Sequence, residues 1–162
     1  MLTRFREPKM LNPDFREILS IFSDEGVEYL LVGAYAVSAH GIPRATGDID
    51  LWIRPMPDNA RRVWRALENF GAPLSQFSLA DFEKRDQVIQ IGVAPKRIDL
   101  LTSIDGVEFD SAWHDHVLTK IDNLIVPTIS RHHLIANKRA TARPQDLADA
   151  ERLLELPESS GE

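Results

Sequence analysis

Three aspartates stand where chemistry is easiest to imagine. Asp48 and Asp50 are two residues apart in the stretch Asp48-Ile49-Asp50-Leu51-Trp52-Ile53, and Asp99 sits between Ile98 and Leu100. On an extended strand the pleat places Asp48 and Asp50 on one face and Ile49, Leu51 and Ile53 on the other. Two carboxylates side by side repel, so the arrangement requires a compensating positive charge, which a divalent cation would supply. Asp99 likewise points away from its apolar neighbours, and if its strand lies beside the first, three carboxylates converge. Hard oxygen ligands of this kind suit Mg²⁺, which keeps several waters and binds through a few carboxylates plus substrate phosphates. Two ions held in this way would serve phosphoryl chemistry, one at the attacking hydroxyl and one at the leaving group. Alone, an Asp-x-Asp on a strand is weak, because exposed strands alternate polar and apolar residues for solubility.

The elements that must position these residues can be read from periodicity. Asn12-Pro13 starts a helix, with Asn12 as cap and Pro13 in the first turn, and Phe15, Ile18, Leu19 and Phe22 form its buried stripe before Gly26. Residues 27 to 32 read as a buried strand ending at Gly33, and residues 34 to 39 are compatible with a helix. Residues 41 to 47 form a loop, residues 48 to 53 a second strand, and Val63, Trp64, Leu67 and Phe70 a helix that stops at Gly71. Residues 74 to 84 give mixed signals. Residues 88 to 93 and 97 to 101 form a hairpin around Ala94-Pro95-Lys96, and residues 117 to 121 and 124 to 126 form another through Asp122-Asn123. Helices over 131 to 140 and 144 to 154 finish the chain, with residues 157 to 162 expected to be a disordered tail. Strands interleaved with helices but closing in hairpins predict an α/β (α+β) fold, a mixed sheet with helices packed against it and a short helical tail. One domain over residues 1 to 156 is expected, with its core at about 12 to 128 and the tail at about 130 to 155.

Composition narrows the function. A chain of 162 residues with 43% hydrophobic and 27% charged residues is of ordinary globular make-up. With no cysteine, disulfides, thiolate zinc sites and cysteine nucleophiles are excluded, in keeping with a cytoplasmic location. Neither a secretory leader nor a run of the ~20 apolar residues needed to span a bilayer is visible, so no membrane partner is expected. The net charge of −6 argues against an extensive nucleic-acid-coating surface but leaves room for a local basic groove. Arg54, Arg61, Arg62 and Arg65, and again Arg131, Lys138, Arg139 and Arg143, read as solvated helix faces. His114-x-His116 and His132-His133 could ligate a metal but lack a fixed zinc spacing. Gly-x-Ser-x-Gly, Gly-x-Gly-x-x-Gly and Walker-type loops are absent.

The ordered set Leu31-Val32-Gly33-Ala34-Tyr35-Ala36-Val37, His40-Gly41, Arg44-x-Thr46-x-Asp48-x-Asp50 and Ile98-Asp99-Leu100 resembles the nucleotidyltransferase superfamily related to DNA polymerase β. Within it the pattern is most similar to the bacterial branch that includes abortive-infection toxins, minimal nucleotidyltransferases and some antibiotic-modifying enzymes. Leu134-Ile135-x-x-Lys138 and Arg143-Pro144-x-Asp146-x-x-Asp149 resemble that branch's helical tail, so the likeness spans residues 27 to 154. It implies that Asp48, Asp50 and Asp99 are the catalytic and metal-binding acids, holding two Mg²⁺ ions, with Mn²⁺ as a substitute. It further implies a nucleotide-binding set of Gly33, Ala34, Arg44, Thr46 and Lys138. Relatives carry serine or a second glycine where this chain has Ala34, which removes one hydroxyl donor to the phosphates; the backbone donors remain. Gly33 could also be a plain strand terminator, Arg44 a surface arginine and Lys138 a solvated helix lysine. Arg143, Asp146 and Asp149 read as a brace for the tail.

The expected activity is transfer of a nucleoside monophosphate from a nucleoside triphosphate to an acceptor hydroxyl, with ATP the expected donor. The resemblance implies three acceptor classes, of which the first is favoured: transfer RNA in a toxin–antitoxin-like system, which would bring an antitoxin partner, a hydroxyl on a partner protein, or a small hydroxylated antibiotic. The competing expectation is a catalytically inactive module that keeps the fold for binding.

Overall fold

A computed structural model of the chain describes residues 2–4, 11–45 and 47–157. In chain order the first elements are β1 (Leu2–Arg4), α1 (Pro13–Asp24), β2 (Tyr29–Val32), α2 (Gly33–Ala39), β3 (Ile49–Ile53) and α3 (Pro57–Phe70). After a 3₁₀ turn at Leu79–Phe82 come β4 (Val88–Ile91), β5 (Ile98–Leu101), α4 (Phe109–His114), β6 (Val117–Ile121), β7 (Leu124–Thr128), α5 (Arg131–Thr141) and α6 (Pro144–Glu155).

The described strands form one mixed sheet in the order β1-β6-β7-β2-β3-β5-β4. β3 lies near its middle, antiparallel to β2 and parallel to β5. Register then decides what faces what. Ile49, Leu51, Ile98 and Leu100 share one face with Tyr29 and Leu31, all at most 2% exposed. α1 closes over this face through its stripe of Phe15, Ile18, Leu19 and Phe22, with Phe22 edge-on to Tyr29 at 5.2 Å. The opposite face carries Val32, Asp50, Asp99, Trp52 and Leu101, and there Phe109 of α4 meets Trp52 edge-on at 5.0 Å. Polar residues thus sit on a central strand because its second face is only partly roofed by helices.

Local chemistry explains the element ends. The Asn12 side chain accepts from the Asp14 N–H at 2.7 Å and caps α1, while Gly71, in the left-handed region at φ 87°, stops α3. Buried Asn59 of α3 takes the Glu28 N–H at 2.8 Å and donates to the Glu28 and Arg54 carbonyls at 2.9 and 3.0 Å. That one amide fastens α3 across the outer ends of β2 and β3. At the β6–β7 turn Asp122 and Asn123 both adopt positive φ, the conformation a two-residue hairpin requires.

Several boundaries differ from the sequence reading. β3 starts at Ile49, leaving Asp48 just ahead of it, and β2 starts at Tyr29, because Gly26 and Val27 are still bonded to the end of α1. Residues 74 to 84 hold one 3₁₀ turn, capped by Ser78 and Asp81, that drives Phe82 against Trp64 of α3. β1 and α4 were not anticipated, being three and six residues long. The tail beyond residue 157, expected to be disordered, lies outside the described residues. No helix among the described residues is long and apolar enough to cross a membrane.

Candidate active site

Parallel pairing of β3 with β5 makes Asp50 and Asp99 direct register partners on the partly open face. Asp48 reaches the same place from the end of the preceding loop. Its carboxylate accepts the Arg97 N–H at 2.9 Å, and the Ile49 N–H returns a bond to the Arg97 carbonyl at 3.0 Å. The loop passes close to the β4–β5 turn here; a Cβ on Gly47 would lie 2.7 Å from the Pro95 carbonyl oxygen. Two strand neighbours and one stitched loop therefore bring Asp48, Asp50 and Asp99 to one end of the sheet.

The charge opposing these acids includes a side chain that sequence reasoning missed. Arg97 lies two residues before Asp99, so the pleat places it on the same side. Its guanidinium grips Asp99 with Nε to Oδ1 at 2.6 Å and Nη2 to Oδ2 at 3.1 Å, and the same Nη2 reaches Asp48 Oδ2 at 3.1 Å. The alternation Arg97-x-Asp99 carried the signal, since an arginine two residues from an aspartate on a strand can supply the opposing charge as well as a metal can. Among the described residues, Asp50 has no direct cationic partner. Burial, reinforced by the charges of Asp99 and Asp48, pushes its carboxyl up to about 6, against the opposing pull of Arg97 and Lys138.

Gly33 opens α2 at φ +68°, and a Cβ there would collide with the Asp50 carboxylate. This glycine is required for close approach as well as for its backbone angle. Val32 precedes it without a side-chain cap, so Gly33 and Ala34 begin the short helix beside the acids with no side-chain acceptor at its N-cap.

The remaining sequence candidates belong to a network with α6. Lys138 is buried, its Nζ 3.4 Å from Asp146 and 3.3 Å from Asp149. Arg44 spans to Asp149 at 2.5 Å, and Arg143 to Asp146 at 2.6 Å. Burial pushes the Asp146 carboxyl up, but hydrogen bonds from Arg143 and Thr141 and the charge of Lys138 prevail and hold it at about 2. Arg44 is thus tied into the fold, and Lys138 is an internal cation rather than a solvated one. Thr46 lies outside the described residues. A cleft of about 300 Å³ opens beside Asp50 and Gly33, lined also by Ser103, Asn137, Lys138 and Arg143. Ser103 also lines a second cleft of about 350 Å³ whose walls include Trp52, Met56, Thr102 and Phe109.

Away from the acids, Asp115, His132 and His133 bring ligand-type atoms within 4.8 Å of one another. Both imidazole Nδ1 atoms also lie within 3.2 Å of Ser130 Oγ, at the start of α5, where the helix dipole disfavours a cation. Ion pairing and capping account for that group.

No family model matches the chain, and no curated protein matches it in sequence. Solved structures do match. The lincosamide antibiotic adenylyltransferase LnuA, bound to lincomycin, superposes with a TM-score of 0.58 at 15% identity, over 93% of this chain and 100% of that one. A Thermotoga maritima protein described as a nucleotidyltransferase gives 0.53 at 16% identity, over 90% and 93%. The antibiotic-resistance factor ANT(2'')-Ia gives 0.50 at 13% identity, over 86% and 80%. The fold is therefore the nucleotidyltransferase one, with the mixed sheet and flanking helices that the interleaved pattern predicts.

Proposed function

We propose that the protein is a metal-dependent nucleotidyltransferase that moves a nucleoside monophosphate from a nucleoside triphosphate to an acceptor hydroxyl and releases pyrophosphate. The observation that carries this reading is the pairing of Asp50 with Asp99 in register, with Asp48 stitched beside them, next to the Gly33 turn. The donor set fits a hard divalent cation: three carboxylates meet at one end of the sheet, and one of them, Asp50, has no side-chain counter-ion of its own among the described residues. Asp48, Asp50 and Asp99 would hold Mg²⁺ or Mn²⁺. When bound, the metal would neutralise phosphate charge and make the acceptor hydroxyl more acidic.

The chain's own residues do the rest. The backbone at Gly33 and Ala34 approaches the triphosphate without a side chain in the way at residue 33, and the cleft beside it is lined by Lys138 and Arg143 together with Asp146, which pairs with both. Asp99 accepts the acceptor's hydroxyl proton on a carboxylate oxygen as the new P–O bond forms and the bond to pyrophosphate breaks. For the acceptor, a small hydroxylated molecule is the reading favoured by the second cleft, whose volume and aromatic wall suit such a ligand. A net charge of −6 weighs against the many phosphate contacts that transfer RNA in a toxin-like system would need.

Thermal melting tests the binding half of this proposal. Mg²⁺ with a nucleoside triphosphate should raise the melting temperature of the wild-type protein, and Asp50→Asn should lose most of that shift. A wild-type protein that ignores both would favour the non-catalytic module, which the absent hydroxyl at Ala34 and the charge compensation by Arg97 support.

A further inference from the structure

Arg97 holds the place of a cation. Its fork takes both oxygens of Asp99 and reaches Asp48, while its own backbone N–H holds the other Asp48 oxygen. A metal ligated by those oxygens requires about 2.0–2.1 Å to each, so ion and guanidinium compete for the same lone pairs. The guanidinium cannot withdraw by losing its charge, because an arginine stays protonated in proteins. It must move to another anion or to water. Its side chain is 26% exposed, at the base of the β4–β5 turn, so a route outward exists. The acids of the neighbouring network are already engaged, Asp146 with Lys138 and Arg143 and Asp149 with Lys138 and Arg44.

We propose that Arg97 is an internal counter-ion that makes the metal enter together with a nucleoside triphosphate. This deepens the nucleotidyltransferase reading and rests on it. A divalent ion alone would have to displace a bidentate ion pair and leave Arg97 without an anion. An ion carried by a triphosphate brings the replacement anion with it, so Arg97 releases Asp48 and Asp99 and turns to phosphate oxygens. Free metal therefore binds weakly, and metal and nucleotide bind with positive coupling. The fork that holds the acids together before substrate arrives becomes a phosphate contact afterwards. Arg97 is thus a positioning residue toward the metal and a specificity element toward the triphosphate.

Calorimetric Mn²⁺ titration of the metal-stripped protein tests this without reading activity, with and without non-hydrolysable analogues of the common nucleoside triphosphates. Wild type should bind Mn²⁺ more tightly with an analogue present, by about 5- to 100-fold. Arg97→Gln should bind Mn²⁺ alone at least about fivefold more tightly than wild type and show a correspondingly smaller coupling. Arg97→Lys keeps the charge but loses the fork, and should fall between the two. Cooperative thermal melting of each variant guards against misfolding. If Arg97→Gln binds Mn²⁺ no more tightly than wild type, or nucleotide coupling survives undiminished, the counter-ion role is overturned while the metal site stands. Absence of Mn²⁺ binding by every form, with or without analogue, would instead overturn the underlying nucleotidyltransferase reading.

Discussion

Asp50 is where the structure and its proposed chemistry conflict most openly. Its carboxyl is pushed up to about 6 from an ordinary 3.8, so between those values the folded chain keeps a proton that the unfolded chain has released. The contribution of Asp50 to folding stability of the metal-free protein should therefore fall as pH rises from below 3.8 to above about 6. The loss is at most about 3 kcal/mol, and less because the group keeps some solvent. Asp50→Asn should remove this contribution, so that urea denaturation in chelator shows the variant gaining on wild type as pH increases; a constant difference across that range would refute the assignment. Gly33→Ala makes a complementary prediction. A left-handed alanine and a Cβ driven into the Asp50 carboxylate should together cost about 2–3 kcal/mol, read as a lower denaturation midpoint. Strand alternation, a local rule, was enough to suggest that Asp50 and Asp99 point away from the apolar core face, whereas their proposed role came from the family resemblance. Arg97 obeyed the same rule, yet its role depended on the loop before Asp48 folding back to its backbone, a pairing no local rule supplies.

Between elements, α5 and α6 are joined by buried ion pairs in addition to the apolar side chains that both helices bury. Lys138 sits among Asp146 and Asp149, with Arg44 reaching in from the loop ahead of β3. Asp149→Ala would strip Lys138 of one buried partner and leave Arg44 unpaired, at a cost of about 3 kcal/mol; equilibrium unfolding checks it. Asp146, held at about 2, contributes stability that is present above its ordinary 3.8 and lost as pH falls toward about 2, the reverse of Asp50. The sequence reading placed both tail helices and assigned Asp146 and Asp149 to bracing, since Pro144 and the apolar periodicity are local signals. The pairing of Lys138 with Asp146 and Asp149 was not readable, because those partners lie 8 and 11 residues on, across a helix–helix corner. β1 and α4 escaped for a related reason. Three residues carry no periodicity, and β1 exists through its parallel pairing with β6 more than a hundred residues later.

For the molecule as a whole, the order of strands and helices was readable, and with it the nucleotidyltransferase fold. Each hairpin was marked by its turn residues, and α1 and α3 by their apolar stripes. Which strands became neighbours was not readable from those marks, and the convergence of Asp48 and Asp50 with Asp99 depended on it. The parallel β3–β5 contact that joins them follows from the hairpin partner β4 taking the sheet edge, leaving β5 to lie inside. On the proposed function, activity belongs to this assembled end of the sheet, and Asp50→Asn should lower the transfer rate by at least about 100-fold. The most direct measurement uses nucleoside triphosphates labelled at the α-phosphate, incubated with the protein, Mg²⁺ and fractionated cell extract. The account predicts Mg²⁺-dependent transfer of label to a hydroxyl-bearing acceptor, matched by pyrophosphate release and lost in Asp99→Asn. Label that enters no RNA, protein or small-molecule fraction with any of the nucleotides, from protein shown to be folded, would contradict it.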